Sequence, residues 1–240
     1  MTRGEILSIR SLADRQGRQE SGLFAVEGAK MVGEALTSGF RVHGLYATTR
    51  AAERWQGATV VSGKEMERIS TLRTPSDVVA LVELPSPTGS RTDAGLALAL
   101  DGVQDPGNMG TIIRLADWFG VGEVVCSPSS ADCYAPKAVQ ATMGAIFRVN
   151  VRYVDLAPWL ASQNRQLFGT FLDGENIYGA RLPSEAVVVM GSEGRGVSPE
   201  VEALITRRLH IPPYPADAAG SESLNVAVAT GIVCSEFRRR

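Results

Sequence analysis

Residues 209–240 read LHIPPYPADAAGSESLNVAVATGIVCSEFRRR, and the rest of the chain is best understood outward from them. The stretch sets Ser223-Leu-Asn225 directly before a run of small residues, Val226-Ala-Val-Ala-Thr-Gly-Ile232. A helix that begins in this way has free backbone N–H groups in its first turn and short polar side chains beside them. Its small residues let another backbone come close. Two further segments have the same character: Asp105-Pro-Gly-Asn-Met-Gly-Thr-Ile-Ile-Arg114 and Met190-Gly-Ser-Glu-Gly-Arg-Gly-Val197. Each is a glycine-rich loop after an apolar run, and each carries polar side chains that packing alone does not require. Three such loops predict a ligand-binding enzyme.

Apolar runs and breakers divide the chain. Pro85-Ser-Pro-Thr-Gly-Ser-Arg-Thr-Asp93 lacks periodicity and separates the apolar runs 78–84 and 96–100, so a linker is expected over 85–95. Residues 1–84 predict a small α/β domain, with helices at 4–18, 28–38 and 64–71 and strands at 24–27, 42–48, 59–62 and 78–84. Residues 96–240 predict a run of βα units. Strands are expected at 96–103, 123–126, 147–151, 167–171 and 186–190. Helices are expected at 109–119, 136–144, 156–163, 198–204 and 223–239. Apolar strands alternating with helices imply a mostly parallel sheet covered on both faces, with ligands at the carboxyl ends of its strands. Gly102, Gly107 and Gly110 lack the G-x-G-x-x-G spacing of a dinucleotide fold, which argues against an NAD enzyme.

Composition narrows the class. The chain has 240 residues, 44% apolar and 21% charged, as in ordinary globular proteins, and enough length for a real core. It has no apolar run near the ~18–20 residues of a membrane span. Its first residues lack the apolar core of a secretion signal, so a cytoplasmic protein is expected. Cys126, Cys133 and Cys234 include no C-x-x-C pair, and His43 and His210 are the only histidines. No metal site is expected from them, and the thiols read as buried and inert. The net charge is −2, so any nucleic-acid surface must be local. Up to Leu84, 11 basic against 10 acidic residues give +1; beyond it 13 against 16 give −3. The best basic patch combines Arg10, Arg15, Arg18 and Lys30. A solvated helix face would look the same, because Glu5, Asp14, Glu20 and Glu27 are interspersed.

The three loops, in this order, resemble the signature motifs of the SpoU (TrmH-like) branch of the SPOUT RNA 2′-O-ribose methyltransferases. Asn108, Gly110 and Arg114 match the first motif. Gly191, Glu193, Gly194 and Gly196 match the second. Ile211, Pro212 and Ser223-Leu-Asn-Val226 match the third. Pro136-Lys-Ala-Val-Gln-Ala-Thr-Met-Gly-Ala-Ile-Phe147 is similar to a further family segment, and Phe24-Ala-Val-Glu-Gly-Ala-Lys30 to the family's N-terminal substrate-binding domain. That domain is itself similar to ribosomal RNA-binding proteins.

The resemblance implies an α/β chain: a C-terminal SPOUT domain with a trefoil knot and a small N-terminal RNA-substrate-binding domain. It implies a homodimer with the knot region at its interface. It implies S-adenosylmethionine (AdoMet) as methyl donor, held by Gly191, Gly194, Gly196, Ile211 and Leu224. The substrate would be a ribose 2′-hydroxyl, in rRNA rather than tRNA. Arg114, Asn108, Glu193, Ser223 and Asn225 would form the catalytic group. Arg114 is nominated as its centre, but a guanidinium is a poor base and suits a phosphate or a developing alkoxide better. Read without the resemblance, Asn108 is a helix cap, Arg114 pairs with Asp117, Glu193 satisfies loop N–H groups, and Ser223 and Asn225 cap the last helix. Glu27 reads as a favourable acid beside a helix start.

Two departures stand out: Pro213 follows Ile211-Pro212 where the family has methionine, and Gln140 stands where arginine is common. An RNA-binding assembly protein without activity and a small-molecule AdoMet enzyme remain alternative readings.

Overall fold

The computed structural model describes residues 1–85, 95–215 and 223–239. These fall into two compact units, 1–85 with 132–148, and 95–131 with 149–239. Of the expected linker, all but residues 85 and 95 lie outside the described residues, as do residues 216–222 of the segment following Ile211-Pro212.

In the first unit, Leu23–Glu27 (β1), Val42–Thr48 (β2), Thr59–Val61 (β3) and Val78–Glu83 (β4) form a sheet in the order β1-β4-β2-β3. β4 runs antiparallel to β1 and β2, whereas β2 and β3 are parallel. The period of two along β4 sends Val78, Ala80 and Val82 into one apolar cluster and Val79 and Leu81 into the other. Four helices cover it: Arg3–Ser11 (α1), Arg15–Ser21 (α2), Ala29–Thr37 (α3) and Gly63–Ile69 (α4). α4 is fixed by a capping box in which Ser62 and Glu65 satisfy each other's N–H groups.

The single helix expected over 4–18 is two. The chain doubles back so tightly that a Cβ on Gly17 would sit 2.1 Å from the Ser11 carbonyl oxygen, which only glycine permits.

Pro136–Thr142 (α6) and the 3-10 turn Ala145–Phe147 also pack in this unit, although the sequence reading placed them in the domain 96–240. Val139 lies in the same apolar cluster as Phe24, and Tyr134 and Phe147 pack beside it. Phe24 lies 4.8 Å from Tyr134 and Phe40 lies 5.2 Å from Phe147, measured between ring centroids. An apolar helix face predicts burial, but not the core it enters.

The second unit is one parallel sheet in the order β10-β8-β9-β5-β6-β7. Its strands are Leu96–Asp101 (β5), Glu123–Cys126 (β6), Asn150–Tyr153 (β7), Gln166–Asn176 (β8), Ala186–Gly191 (β9) and Arg207–His210 (β10). β5 and β9 are central and nearly wholly buried, as their unbroken apolar runs require. Pro106–Trp118 (α5), Leu156–Ala161 (α7), Pro199–Glu202 (α8) and Val226–Arg238 (α9) cover the sheet, and α5 packs on α9. There Gly231 faces the Leu115 methyl groups, close enough that an added Cβ would lie 3.5 Å away.

The strand expected at 147–151 begins at Asn150 instead, because 145–147 coils into the 3-10 turn. Because β5 and β9 are neighbours, the loops leaving their carboxyl ends are neighbours too. That places two of the three glycine-rich segments side by side, at the ligand-binding end of a parallel sheet.

Candidate active site

α5 starts earlier than its periodicity suggests. Asp105 is its cap, accepting the Asn108 N–H at 2.9 Å, and Pro106 occupies the first turn, where no N–H is needed. Asn108 is therefore not the cap that its position suggested, and its side-chain amide is available elsewhere. Its Nδ2 donates to Glu193 Oε1 in the second loop. Its Oδ1 accepts from Asn225 Nδ2 at 3.0 Å. Asn225 in turn caps α9, its Oδ1 accepting the Ala227 N–H at 3.0 Å and the Val228 N–H at 3.2 Å. One chain of hydrogen bonds, Glu193–Asn108–Asn225, thus ties together all three segments. Capping and site-building coexist in Asn225.

The loop after β9 folds back on its own strand. The Ser192 N–H donates to the Gly196 carbonyl at 3.0 Å, and the Gly196 N–H returns to Ser192 at 2.9 Å. A Cβ on Gly191 would lie 2.3 Å from the Gly196 carbonyl carbon, so the closure requires glycine there. Gly196 sits at φ +67°, in the left-handed region, and requires glycine for that reason. Gly194 faces open space.

Against this loop lies a cleft of about 430 Å³. Gly191, Gly194, Gly196, Ile211 and Leu224, the residues assigned to the cofactor, all line it. So do Glu193 and Ser223. Apolar Met190, Ile211 and Val226 beside a few polar groups suit a nucleoside-sized ligand, and the volume lies in the ordinary range for small-molecule sites. Pro213 is exposed and does not line the cleft.

One wall of the cleft carries none of the three motifs. Thr170, Phe171, Leu172 and His210 also border the cleft. The available signal was the pair Gly169 and Gly174 bracketing a short apolar run; at Gly174 the Arg208 backbone leaves no room for a side chain.

Arg114 is exposed on α5, on a face shared with Thr111 and Trp118, and it does not line the cleft. Of the proposed RNA contacts, Arg10, Arg15 and Lys30 are exposed on α1, α2 and α3. Arg18 is not available. It is 3% exposed, and its guanidinium pairs with Asp132 at 2.6 Å and donates to the Leu12 and Ala13 carbonyls at 2.8 and 2.9 Å.

Glu27 is also buried, and it does not serve the α3 start as expected. Gly28 occupies that position, and Glu27 instead accepts from Ser70 Oγ, the Thr71 N–H and Thr71 Oγ1, all within 2.7 Å. Gln140 donates to the Glu27 carbonyl at 2.8 Å, a structural tie within the first unit.

All three cysteines are buried, and burial pushes the Cys234 thiol up to about 12, which suits no nucleophile. Among the described residues no cluster of His, Cys, Asp or Glu could hold a metal. No helix among them is long and apolar enough to cross a membrane.

The chain is similar to known proteins over its whole length. Residues 95–235 match the SpoU rRNA Methylase family, and residues 4–80 match the MRM3-like substrate binding domain. A Porphyromonas gingivalis protein assigned to the TrmH family of RNA methyltransferases superposes with a TM-score of 0.86 at 44% identity, covering 100% of this chain and 98% of that one. An AdoMet-bound rRNA methyltransferase from Sinorhizobium meliloti gives 0.87 at 31% identity, covering 100% and 95%. The 23S rRNA (guanosine(2553)-2′-O)-methyltransferase RlmP of Bacillus subtilis is 28% identical over 238 residues, 95% of this chain and 94% of RlmP. With the motif residues gathered at one end of the parallel sheet and the family model spanning that whole region, the chain belongs to the SpoU rRNA methylase family.

Proposed function

We propose that this enzyme transfers the methyl group of AdoMet to one ribose 2′-hydroxyl of rRNA. The observation that carries the reading is the Glu193–Asn108–Asn225 chain of hydrogen bonds at the edge of a nucleoside-sized cleft. AdoMet supplies a methyl group on a sulfonium, which is already a good leaving group. The protein's task is then to hold the ribose oxygen in line and accommodate its proton, and positioning alone supplies a large share of such a rate. Gly191, Gly194, Gly196, Ile211 and Leu224 would hold the donor. Glu193 and Asn225 orient Asn108, and Ser223 offers a hydroxyl to the substrate side. Arg114 stabilises the developing oxyanion or anchors an adjacent phosphate.

The N-terminal unit presents the RNA, with Arg10, Arg15 and Lys30 as its contacts. A homodimer is supported by the face carrying Arg114, where Trp118 is 83% exposed and Val228 on α9 is 53% exposed. A trefoil knot is expected from the family, with α9, which packs on α5, as its threaded end. A cytoplasmic location agrees with the bacterial rRNA methyltransferase relatives.

The test is methyl transfer from labelled AdoMet to purified rRNA and to tRNA, with wild type and Arg114→Ala. Alkali-resistant label at one rRNA ribose is expected, falling by about 100-fold or more in the variant. S-adenosylhomocysteine affinity should be retained. Label on tRNA alone would overturn the substrate. No transfer to either RNA, despite binding of S-adenosylhomocysteine, would overturn the activity.

A further inference from the structure

β8 and β10 pair in two registers. Phe168 and Gly169 lie opposite Arg207 and Arg208, and then Glu175 and Asn176 lie opposite Leu209 and His210. The five residues 170–174 therefore leave the ladder as a bulge, and its first three, Thr170, Phe171 and Leu172, form the wall of the cleft that carries no motif. Glycine closes the bulge where the chain lies flat on β10: a Cβ on Gly174 would come within 2.8 Å of the Arg208 carbonyl oxygen.

Over the bulge lies Arg208. Its guanidinium carbon sits 3.5 Å from the centroid of the Phe171 ring. Its Nη2 pairs with Asp173 at 2.5 Å, inside the bulge, and its Nη1 pairs with Glu202 at the end of α8, also at 2.5 Å. Arg208 itself does not line the cleft.

We propose that Arg208 is a positioning residue for the methyl donor: it clamps bulge 170–174 between β10 and α8, so that Thr170–Leu172 stand as a preformed wall of the AdoMet site. The proposal rests on the AdoMet reading of the cleft. Stability alone does not explain the arrangement, because the Asp173 side chain is 80% exposed and such ion pairs contribute about 0–1 kcal/mol. What the clamp changes is the freedom of five residues that must otherwise be ordered when the ligand arrives. The planar guanidinium both stacks and forks, which lysine cannot do.

The experiment is calorimetric titration with S-adenosylhomocysteine, alongside steady-state kinetics and thermal melting, for wild type, Arg208→Ala, Arg208→Lys, Asp173→Asn and the Arg208→Ala/Asp173→Asn pair. Arg208→Ala should weaken binding about tenfold and Asp173→Asn about threefold. The double variant should bind no worse than Arg208→Ala, because both changes break one device. Arg208→Lys should recover part of the loss. KM for AdoMet should rise in step with these values, while KM for RNA and kcat at saturating AdoMet stay within about twofold of wild type.

Folded variants that bind like wild type would overturn the clamp, as would an equal rise in both KM values. Should Arg208→Ala fail to fold, Asp173→Asn keeps the stack and the Glu202 pair, and an unchanged affinity in that variant overturns the proposal. A wild-type protein that does not bind S-adenosylhomocysteine would overturn the cofactor reading itself, and the clamp with it.

Discussion

Asn108 shows how much one side chain can join. Because Asp105 already caps α5, the Asn108 amide is free to donate to Glu193 with one end and accept from Asn225 with the other. This predicts a difference between two small substitutions. Asn108→Ala removes both hydrogen bonds, one of them to a carboxylate, at about 1.5–3 kcal/mol, so kcat/KM should fall about 10- to 100-fold. Asn108→Asp should fall further, because it sets a second carboxylate against Glu193 where the amide had donated. Circular dichroism of both should be unchanged, as the cap of α5 is intact. Equal activity for the two variants would sink the orienting role of Glu193. Asn108, Glu193 and Asn225 were legible in the sequence as polar residues in glycine-rich loops that packing did not require. Arg18 was not. Its burial depends on Asp132, 114 positions further along the chain, and no local charge pattern shows such a partner.

At the scale of elements, the loop after β9 separates two glycines that look alike in sequence. Gly196 needs glycine for its backbone angle, and a residue with a Cβ would pay about 1–2 kcal/mol to hold φ +67°. Gly191 needs it for space, since the returning backbone lies 2.3 Å from where a Cβ would be and cannot yield without opening the Ser192–Gly196 closure. Gly191→Ala should therefore abolish measurable S-adenosylhomocysteine binding, whereas Gly196→Ala should weaken it only about 5- to 30-fold. The same titration checks both, and the reverse order would disprove the account of the loop. The central strands were legible because an unbroken apolar run admits few other readings. β10 was not: Arg207-Arg208-Leu-His210 is a charged edge strand, the kind that keeps a sheet from pairing with another chain, and it carries no alternation to betray it. Nor was the bulge in β8, which periodicity registers only as the end of a strand.

Across the whole molecule, the order of the chain and the order of packing differ. A sequence read from left to right ends its first domain at Leu84, yet the unit built there also contains residues 132–148. Those residues supply Val139, Tyr134 and Phe147 to the core around Phe24, and Asp132 to the buried Arg18. A protein cut at residue 85 loses all of this together. Its Arg18 keeps the Leu12 and Ala13 carbonyls but either stays buried without its counter-charge, at about 3–5 kcal/mol, or swings into water and takes the turn between α1 and α2 with it. Set against the roughly 5–15 kcal/mol that holds a domain together, that loss and the opened aromatic cluster remove most of the stability. Residues 1–85 alone should bind a hydrophobic dye and unfold without a sharp urea transition. The same fragment carrying residues 132–148 on a flexible glycine-serine tether should unfold cooperatively. Replacing Asp132 by alanine in the tethered form should lower its urea midpoint, and replacing exposed Arg10 should not. A cooperative transition in the bare fragment, at the midpoint of the tethered one, would show that the first 85 residues are a domain in their own right.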